Sequence, residues 1–288
     1  MRMKRVLVKF GLAAGALCLC RGAFAQEPDK SVYTLFHPTP RDQMREMSTD
    51  RPDITESPHT VDAGHFQLEM SFADFSYDRN SPDSLTTRGV AVAPMLVKAG
   101  LLNSVDLQLG LDPYTWIRTT DRVVGESETA QGFGDIVLRL KVNLWGNDEG
   151  ETAFAIMPFV AFPTASSGLG AGEVEGGIIA PFGAELPHGF NLGLMAEFDF
   201  LRAEEGGGYD VEFVHTATIG HPIVGDLDGF IEYAGFASMS GGHPYRASFD
   251  AGLTFAATPD VQLDGGIRVG LTQASEDFGV FAGISVRY

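Results

Sequence analysis

Hydrophobic and polar residues alternate along the chain from His65 to the C-terminus. In segment 66–73, large apolar residues occupy every second position, and Gln67, Glu69 and Ser71 stand between them. Segments 105–112, 135–144 and 261–272 alternate in the same way. A period of two residues is typical of β-strands and differs from the 3.6-residue period of a helix. The pattern therefore predicts an all-β protein.

Turn-forming residues such as Gly, Pro, Asn and Asp divide the alternating region into segments of β-strand length. Counting between these breaks predicts twelve strands, most of them 10 to 15 residues long, at 66–77, 85–98, 104–118, 132–145, 152–163, 174–186, 190–202, 209–223, 227–239, 245–257, 261–273 and 278–288. An even number of antiparallel strands places both chain ends on the same side. The longer connections, 78–84, 119–131, 164–173, 203–208, 240–244 and 274–277, are then expected on the other side.

The apolar face of such strands would meet either the core of a soluble barrel or the lipid of a membrane. Three features favour the membrane. No apolar run in the mature chain is long enough for a membrane-spanning helix, so a membrane protein of this sequence would have to be a barrel. The polar face carries charges of both signs, and the last strand ends on the aromatic Tyr288. The abundance of Gly (35 residues) and Phe (21 residues) agrees with a barrel. We therefore predict a closed, antiparallel, up-and-down transmembrane β-barrel over residues 64–288.

In this arrangement the polar face lines the lumen. Its charged residues are candidates for setting selectivity, and the alternative for each is a structural ion pair that fills a narrow lumen. The candidates are Glu69, Asp106, Asp112, Arg139, Lys141, Glu197, Asp199, Asp264 and Arg268.

The first 25 residues have the composition of a secretory signal peptide. A basic start is followed by an apolar run from Phe10 to Cys20 and by an Ala23-Phe24-Ala25 site. Cleavage after Ala25 would remove both cysteines and five of the 20 basic residues but none of the 38 acidic ones, which leaves a net charge of −23. Such a charge would repel nucleic acid.

Residues 26–63 are polar and rich in proline, without a sustained period, and we interpret them as a periplasmic N-terminal extension. Near its end, Asp50, Arg51 and Glu56 lie among prolines. Two interpretations stay open. The charged segment would either plug or brace the mouth of the lumen, or form a turn in which Asp50 and Arg51 pair locally.

Several motifs also resemble a known family, the outer-membrane transporters named for the "MetA-pathway of phenol degradation". The similar segments are Ser48–Pro58, Gly132–Asp135 with Lys141 downstream, Phe162–Thr164, Val261–Gly266 and Gly283–Tyr288. The resemblance covers residues 48–288. It implies an outer-membrane barrel and a transport function, and it implies neither a catalytic residue nor a particular solute.

Motifs that would indicate other chemistry are weak. The run Gly168-Leu169-Gly170-Ala171-Gly172 lacks the Lys-Ser/Thr of a phosphate-binding loop and is expected to be an outer loop. The histidines lack the spacing of metal ligands, so neither a metal nor a cofactor is predicted. The main competing class is a barrel enzyme such as a lipid hydrolase, for which Ser248, His215 and Asp250 are the candidate residues.

The sequence thus predicts an outer-membrane channel for passive passage of small solutes, hydrophobic or aromatic compounds among them, without catalytic residues. Its expected partners are outer-membrane lipid, the solute, and the outer-membrane assembly machinery, which would recognise the strand that ends at Tyr288. A structural barrel with a closed lumen is a further alternative.

Overall fold

In a computed structural model, the chain is described for residues 29–79, 84–203 and 207–288. The predicted signal peptide, residues 1–25, lies outside the described residues. Within the described ranges, no helix has the length and hydropathy needed to cross a membrane.

The described residues form one antiparallel sheet. Its strands are β1 (Phe66–Asp78), β2 (Leu85–Val92), β3 (Met95–Leu102), β4 (Val105–Leu111), β5 (Tyr114–Asp121), β6 (Ser127–Gly132), β7 (Ile136–Trp145), β8 (Thr152–Phe162), β9 (Glu175–Leu186), β10 (Phe190–Arg202), β11 (Tyr209–Val224), β12 (Leu227–Ser238), β13 (Arg246–Thr258), β14 (Val261–Gly270) and β15 (Phe278–Arg287). The pairs β2/β3, β4/β5 and β6/β7 are each one strand with a short interruption, so the sheet contains twelve spanning strands.

The sheet closes on itself because the first strand pairs with the last. Gln67 lies opposite Arg287, and the ladder continues to Tyr77 opposite Phe278, with one bulge between Ser71 and Ala73. Closure pairs the edges of β1 and β15, as strands placed in lipid require. β6, which pairs only with β5, keeps one unpaired edge near the loop end. The predicted fold, a closed antiparallel barrel of twelve strands, is confirmed.

The apolar residues of the alternating pattern point outward. Leu107 and Val280 are 36% and 42% exposed, whereas Gln67, Glu69 and Ser71 are each at most 2% exposed. A soluble barrel would show the reverse, with Leu107 and Val280 in its core. The outer surface is therefore an apolar belt, and the interior is polar.

Both ends of the barrel chain lie at the same end of the barrel, where Phe66 and Tyr288 exchange backbone hydrogen bonds. The connections at this end are short, for example 225–226 and 259–260, and we call it the turn end. The opposite end carries the longer connections, such as 163–174, and is called the loop end. The Gly168–Gly172 run lies in loop 163–174, and the structure places no helix in it.

The predicted strand limits differ from the observed ones mainly in three places. The second and third spanning strands extend to Leu102 and Asp121, and the fourth begins at Ser127 rather than at residue 132, which shortens the predicted loop 119–131 to 122–126. Polar residues near the loop end hide the extensions at 119–120 and 127–131 from the hydrophobic pattern, although they pair regularly across β5 and β6. The extension at 99–102 lies at the turn end and pairs with β4.

Three adjacent spanning strands are interrupted at the same height, and we call this line the wall break. The interruptions are 93–94, 112–113 and 133–135, and they face one another because Val92 pairs with Tyr114 and Met95 pairs with Leu111. Across the wall break, single hydrogen bonds replace the continuous ladder, such as Gly134 N–H to the Asp112 carbonyl at 2.9 Å. The ladder between neighbouring strands is therefore interrupted along this line.

The segment before β1 begins with two short 3-10 helices, Lys30–Val32 and Arg41–Gln43, near the turn end. It then enters the barrel. The sequence predicts residues 26–63 as a periplasmic N-terminal extension and leaves open whether its charged part plugs the lumen mouth; the contacts of residues 45–63 lie inside the lumen. Residues 45–63 carry hydrogen-bonding groups that match the polar inner wall, a match that the local sequence pattern does not report.

Candidate functional site

The site is a barrel lumen that holds the segment 45–63, which we call the plug. The plug enters from the turn end at Arg45, whose guanidinium donates to the Asn103 side chain at 2.9 Å. It returns to the turn end at Val61, whose N–H donates to Asp106 at 3.0 Å. Between these points it contacts inward-facing residues around the barrel, so it occupies the half of the lumen nearest the turn end.

A buried charge cluster fastens the plug to one side of the wall. The Lys98 and Lys141 ammonium groups lie 2.5 and 2.7 Å from the two carboxylate oxygens of Asp50. Lys98 also pairs with Glu69. Asp106 completes the cluster, and all five side chains belong to residues at most 7% exposed.

The charges in this cluster depend on one another. Burial alone would raise the pKa of Asp50, but the Lys141 and Lys98 ammonium groups outweigh burial and hold the pKa well below its ordinary value. Glu69 accepts the backbone N–H groups of Asp50 and Arg51 at 2.9 and 3.0 Å. The wall thus binds both the side chain and the backbone of the plug at this position.

Arg51 extends from the plug to the strands beside the closing seam. Its guanidinium donates two hydrogen bonds to Asp264, at 2.6 and 3.2 Å, and one to the Ser71 hydroxyl at 2.6 Å. Two parallel hydrogen bonds between a guanidinium and a carboxylate fix the relative orientation of the two groups as well as their distance. Gly283 on β15 leaves room for it, since a Cβ at that position would overlap the Arg51 guanidinium.

The tip of the plug binds the opposite wall. The Glu232 carboxylate accepts the N–H groups of Ile54 and Thr55 at 2.8 and 2.7 Å, and the Thr55 hydroxyl lies 2.6 Å from that of Thr216. Ile54 also packs on a buried apolar cluster of the inner wall, made of Met157, Ile179, Met195 and Val214. The plug is therefore held on both sides of the lumen.

Two carboxyl groups of the plug lie in surroundings that disfavour their charge. Burial, and then the nearby Asp50 carboxylate, raise the pKa of Glu56 to about 7, although the Arg139 guanidinium lies 2.5 Å from it. Burial and the Glu232 carboxylate raise the pKa of Asp53 well above its ordinary value. Docking of the plug therefore favours the protonated, uncharged form of both carboxyl groups.

The other half of the lumen is more open. Arg268 lies on its wall among Asp250, Glu276 and Asp74, at 2.7 Å from Glu276 and 3.4 Å from Asp74. At the loop end a cavity of about 700 Å³ is lined by side chains of both signs, including Arg202, Glu212 and Arg246. We call this half of the lumen, between the loop end and the plug, the vestibule.

A smaller cavity of about 240 Å³ connects the inner wall to the wall break. Its lining includes Arg51 and Arg139 on the lumen side and Pro94, Gly110 and Asp112 at or beside the break. A continuous β-ladder would not leave such a space between neighbouring strands, which lie less than 5 Å apart. The cavity therefore lies on the lumen side of the wall break.

The structure places eight of the nine candidate lumen residues on the inward face and Asp112 at the wall break. Glu69, Asp106 and Lys141 are in the buried cluster, Arg139 pairs with Glu56, and Asp264 pairs with Arg51. Arg268, Glu197 and Asp199 lie on the inner wall away from that cluster. Their role in selectivity stays a prediction.

Three contacts of the plug were not anticipated from the sequence. They involve Lys98, Glu232 and Arg287, the last of which donates to the Arg45 carbonyl at 2.8 Å. Lys98 offered a signal, because it is a single cation inside the apolar run 95–102 and falls on the inward positions of that strand. For Glu232 and Arg287, the only signal in the sequence was their place on the polar face of the alternating pattern.

The candidate residues of the competing enzyme do not converge. Ser248 lies opposite Ala234, which lies opposite Thr216, so Ser248 shares the inward face with Thr216. His215 is the neighbour of Thr216 along β11 and therefore points to the outer face, where its ring lies 3.1 Å from the Tyr245 hydroxyl. The wall of the barrel separates the serine from the histidine.

A closed, twelve-stranded sheet with an apolar outer belt and a polar interior defines a β-barrel of the outer-membrane type. The chain belongs to the family described as "Putative MetA-pathway of phenol degradation", whose model matches residues 49–288. That span includes most of the plug as well as the barrel.

Solved structures share the fold at low sequence identity. The COG4313 outer-membrane channel from Pseudomonas putida F1 superposes with a TM-score of 0.59 at 12% identity, over 84% of this chain and 100% of that one. The β domain of the Bordetella autotransporter BrkA gives a TM-score of 0.50 at 12% identity, over 78% of this chain and 98% of that one. A search of curated protein sequences finds no match.

Proposed function

We propose that the protein is an outer-membrane channel for the passive passage of small hydrophobic or aromatic solutes. The observation that carries the proposal is the juxtaposition of a blocked lumen axis with a cavity at the wall break. In this arrangement the turn end faces the periplasm and the loop end faces outward, since short periplasmic turns and longer outer loops are typical of outer-membrane barrels.

The axis is closed by the plug. Asp50 on one side and Thr55 on the other tie it to the wall through groups that are at most 7% exposed. Water-filled porins keep a continuous polar path along the axis, and a docked plug interrupts that path. A hydrated solute therefore reaches the vestibule and stops there.

The wall break offers a second route. A solute that passes from the vestibule beside Arg51 would reach the cavity lined by Pro94, Gly110 and Asp112 and then the apolar belt. Leaving the protein there means entering lipid, which favours apolar solutes. This requirement agrees with the association of the family with phenol degradation. The related structure from Pseudomonas putida is itself described as an outer-membrane channel.

The test compares the two routes in one variant. Thr55→Cys with Thr216→Cys would lock the plug to the wall, because the two hydroxyls are 2.6 Å apart and a disulfide spans such neighbours. The only two cysteines of the chain precede residue 26, in the predicted signal peptide, so the new pair would form without competition once that segment is removed. Porin-deficient Gram-negative cells expressing the locked variant are given a labelled aromatic hydrocarbon and, separately, a sugar of similar size.

We expect the oxidised variant to take up the aromatic compound as fast as its own reduced form, and to take up no more sugar than cells without the protein. Uptake in the reduced form alone would contradict the route through the wall and favour displacement of the plug. Absence of aromatic uptake in the wild type, together with no ion current in planar bilayers, would overturn the channel and favour a structural barrel with a closed lumen.

A further inference from the structure

A cavity of about 440 Å³ near the loop end is lined by four arginines. They are Arg79, Arg88, Arg118 and Arg122, and the rest of the lining is made of Tyr77, two threonines and a serine. All of these side chains carry hydrogen-bond donors, and none is a carboxylate. The cavity therefore has the chemistry of an anion site.

The cavity faces outward, away from the lumen. Tyr77 lies opposite Phe278, which is 39% exposed on the apolar belt. Arg88 lies opposite Tyr77, and Arg118 lies opposite Arg88. Since residues directly opposite each other in a sheet share a face, both arginines point to the outside of the barrel.

The height of the cavity places it just above the belt. One step further from the loop end on the same face, Phe75, Val90 and Trp116 form a row across the same three strands. Aromatic and aliphatic residues followed by arginines mark the boundary between the hydrocarbon and the headgroups of a bilayer. The arginines therefore lie at headgroup level if the protein is in a membrane.

Arg88 and Arg118 lie directly opposite each other on neighbouring strands. Among the described residues, no carboxylate lies within ion-pair distance of the guanidinium groups of Arg88 and Arg118. Arg88 instead stacks over the Tyr77 ring, 5.8 Å from its centre. Like charges placed directly opposite each other are destabilising. The four arginines of the cavity lie together although the whole chain has a net charge of −18.

We propose that this outward arginine cluster binds the phosphate of an outer-leaflet lipid headgroup. Guanidinium groups bind phosphate through paired hydrogen bonds, and a bound phosphate would relieve the repulsion between Arg88 and Arg118. The acyl chains of such a lipid would lie on the adjacent row of apolar residues, which is why a membrane lipid fits better than a free anion. The inference rests on the proposed outer-membrane location and orientation.

The experiment measures binding of a phosphorylated lipid A to the folded full-length barrel in detergent, with the dephosphorylated lipid and inorganic phosphate as separate arms. The test variant is Arg88→Gln with Arg118→Gln. The control is Arg41→Gln, which removes an exposed arginine paired with Asp260 at the turn end. Heat-modifiable migration on gels verifies that each variant is folded.

We expect the wild type and the control to prefer the phosphorylated lipid by about tenfold or more, and the test variant to lose that preference. Inorganic phosphate at the same concentration is expected not to compete. Equal binding of both lipids by the wild type, an unchanged preference in the test variant, or full competition by inorganic phosphate would each overturn the lipid site. Uptake of the aromatic compound is measured separately. Failure of the channel proposal is therefore distinguishable from failure of the lipid-site proposal.

Discussion

Lys98 Nζ lies 2.5 Å from the Asp50 carboxylate, and this ion pair joins the barrel wall to the plug inside the lumen. Both residues are almost fully buried, at 1% and 7% exposure. Taking two such charges out of water is costly, and their attraction offsets that cost only while both partners are present. The stability of the docked plug therefore depends strongly on each of them.

Replacing Lys98 by Met is expected to release the plug. The change leaves Asp50 and Glu69 without one shared cation, and breaking a buried pair from one side costs about 3–5 kcal/mol. The measurement is limited proteolysis of the folded barrel, which should cut residues 45–63 faster in the variant. Arg246→Met is the control, because Arg246 pairs with Glu212 on the wall of the loop-end cavity, away from the plug. Equal protection of the plug in both variants would show that Lys98 does not hold it.

Docking of the plug is expected to weaken as the pH rises from about 4.5 to about 7. Glu56 has a pKa of about 7 in the docked plug and an ordinary value of 4.5. Across that interval the docked form holds a proton that the released form has lost, so each rise in pH favours release. Above about pH 7 this contribution is complete and constant.

The measurement of this effect is the open probability in planar bilayers between pH 4.5 and 8. We expect opening to increase with pH in the wild type and to depend less on pH in Glu56→Gln, which stays neutral throughout. Asp53 contributes in the same direction, because its pKa is also raised. A wild type that opens as the pH falls through this interval would contradict the assignment.

Gly100→Ala is expected to displace the returning part of the plug. A Cβ at this position would overlap the backbone carbonyl of Asp62. Backbone hydrogen bonds hold both segments in place, from Gly100 N–H to the His65 carbonyl and from His65 N–H to the Asp62 carbonyl. Gly220→Ala on β11 is the matched control, since its Cβ would find its nearest neighbour at 3.9 Å. In urea unfolding from lipid vesicles, the Gly100 variant should lose stability and the Gly220 variant should not. Similar midpoints would indicate that the wall and plug adjust freely.

Leu109→Arg is expected to destabilise the barrel by about 2–4 kcal/mol, because it places a cation on the lipid face near the middle of a spanning strand. Leu109 is 36% exposed on the apolar belt. Val224→Arg is the control at the end of a strand, where the same change costs about 0–1 kcal/mol. Unfolding in vesicles measures both, and equal losses would contradict the assigned depth of Leu109.

The alternation of residues contained most of the information about the barrel. The strict period in 66–72 and 261–269 assigned each side chain to a face, and the structure preserves those assignments except where the bulge at Ser71 changes the register. The wall break was not predicted because the period resumes on either side of it. Its signals were present in Pro94, Pro113 and Gly134, which disfavour a continuous ladder.

The contacts of the plug could not be predicted from the same pattern. Asp50 and Lys98 are 48 positions apart, and Arg51 and Asp264 are 213 apart, so nothing local relates them. Which carboxylate meets which cation depends on how far the plug enters the lumen. The sequence therefore indicated the charged faces and left their partners undetermined.

The plug meets both strands of the seam that closes the barrel. β1 contributes Glu69 and Ser71, and β15 contributes Arg287. Two residues after the plug, the His65 ring lies 3.0 Å from the Tyr288 carbonyl. A sheet that is still open offers the plug only part of this binding surface, and a sheet closed around an empty lumen leaves Lys98 and Glu232 without their plug partners. Docking of the plug and pairing of β1 with β15 thus stabilise each other, and opening of the seam would also loosen the plug.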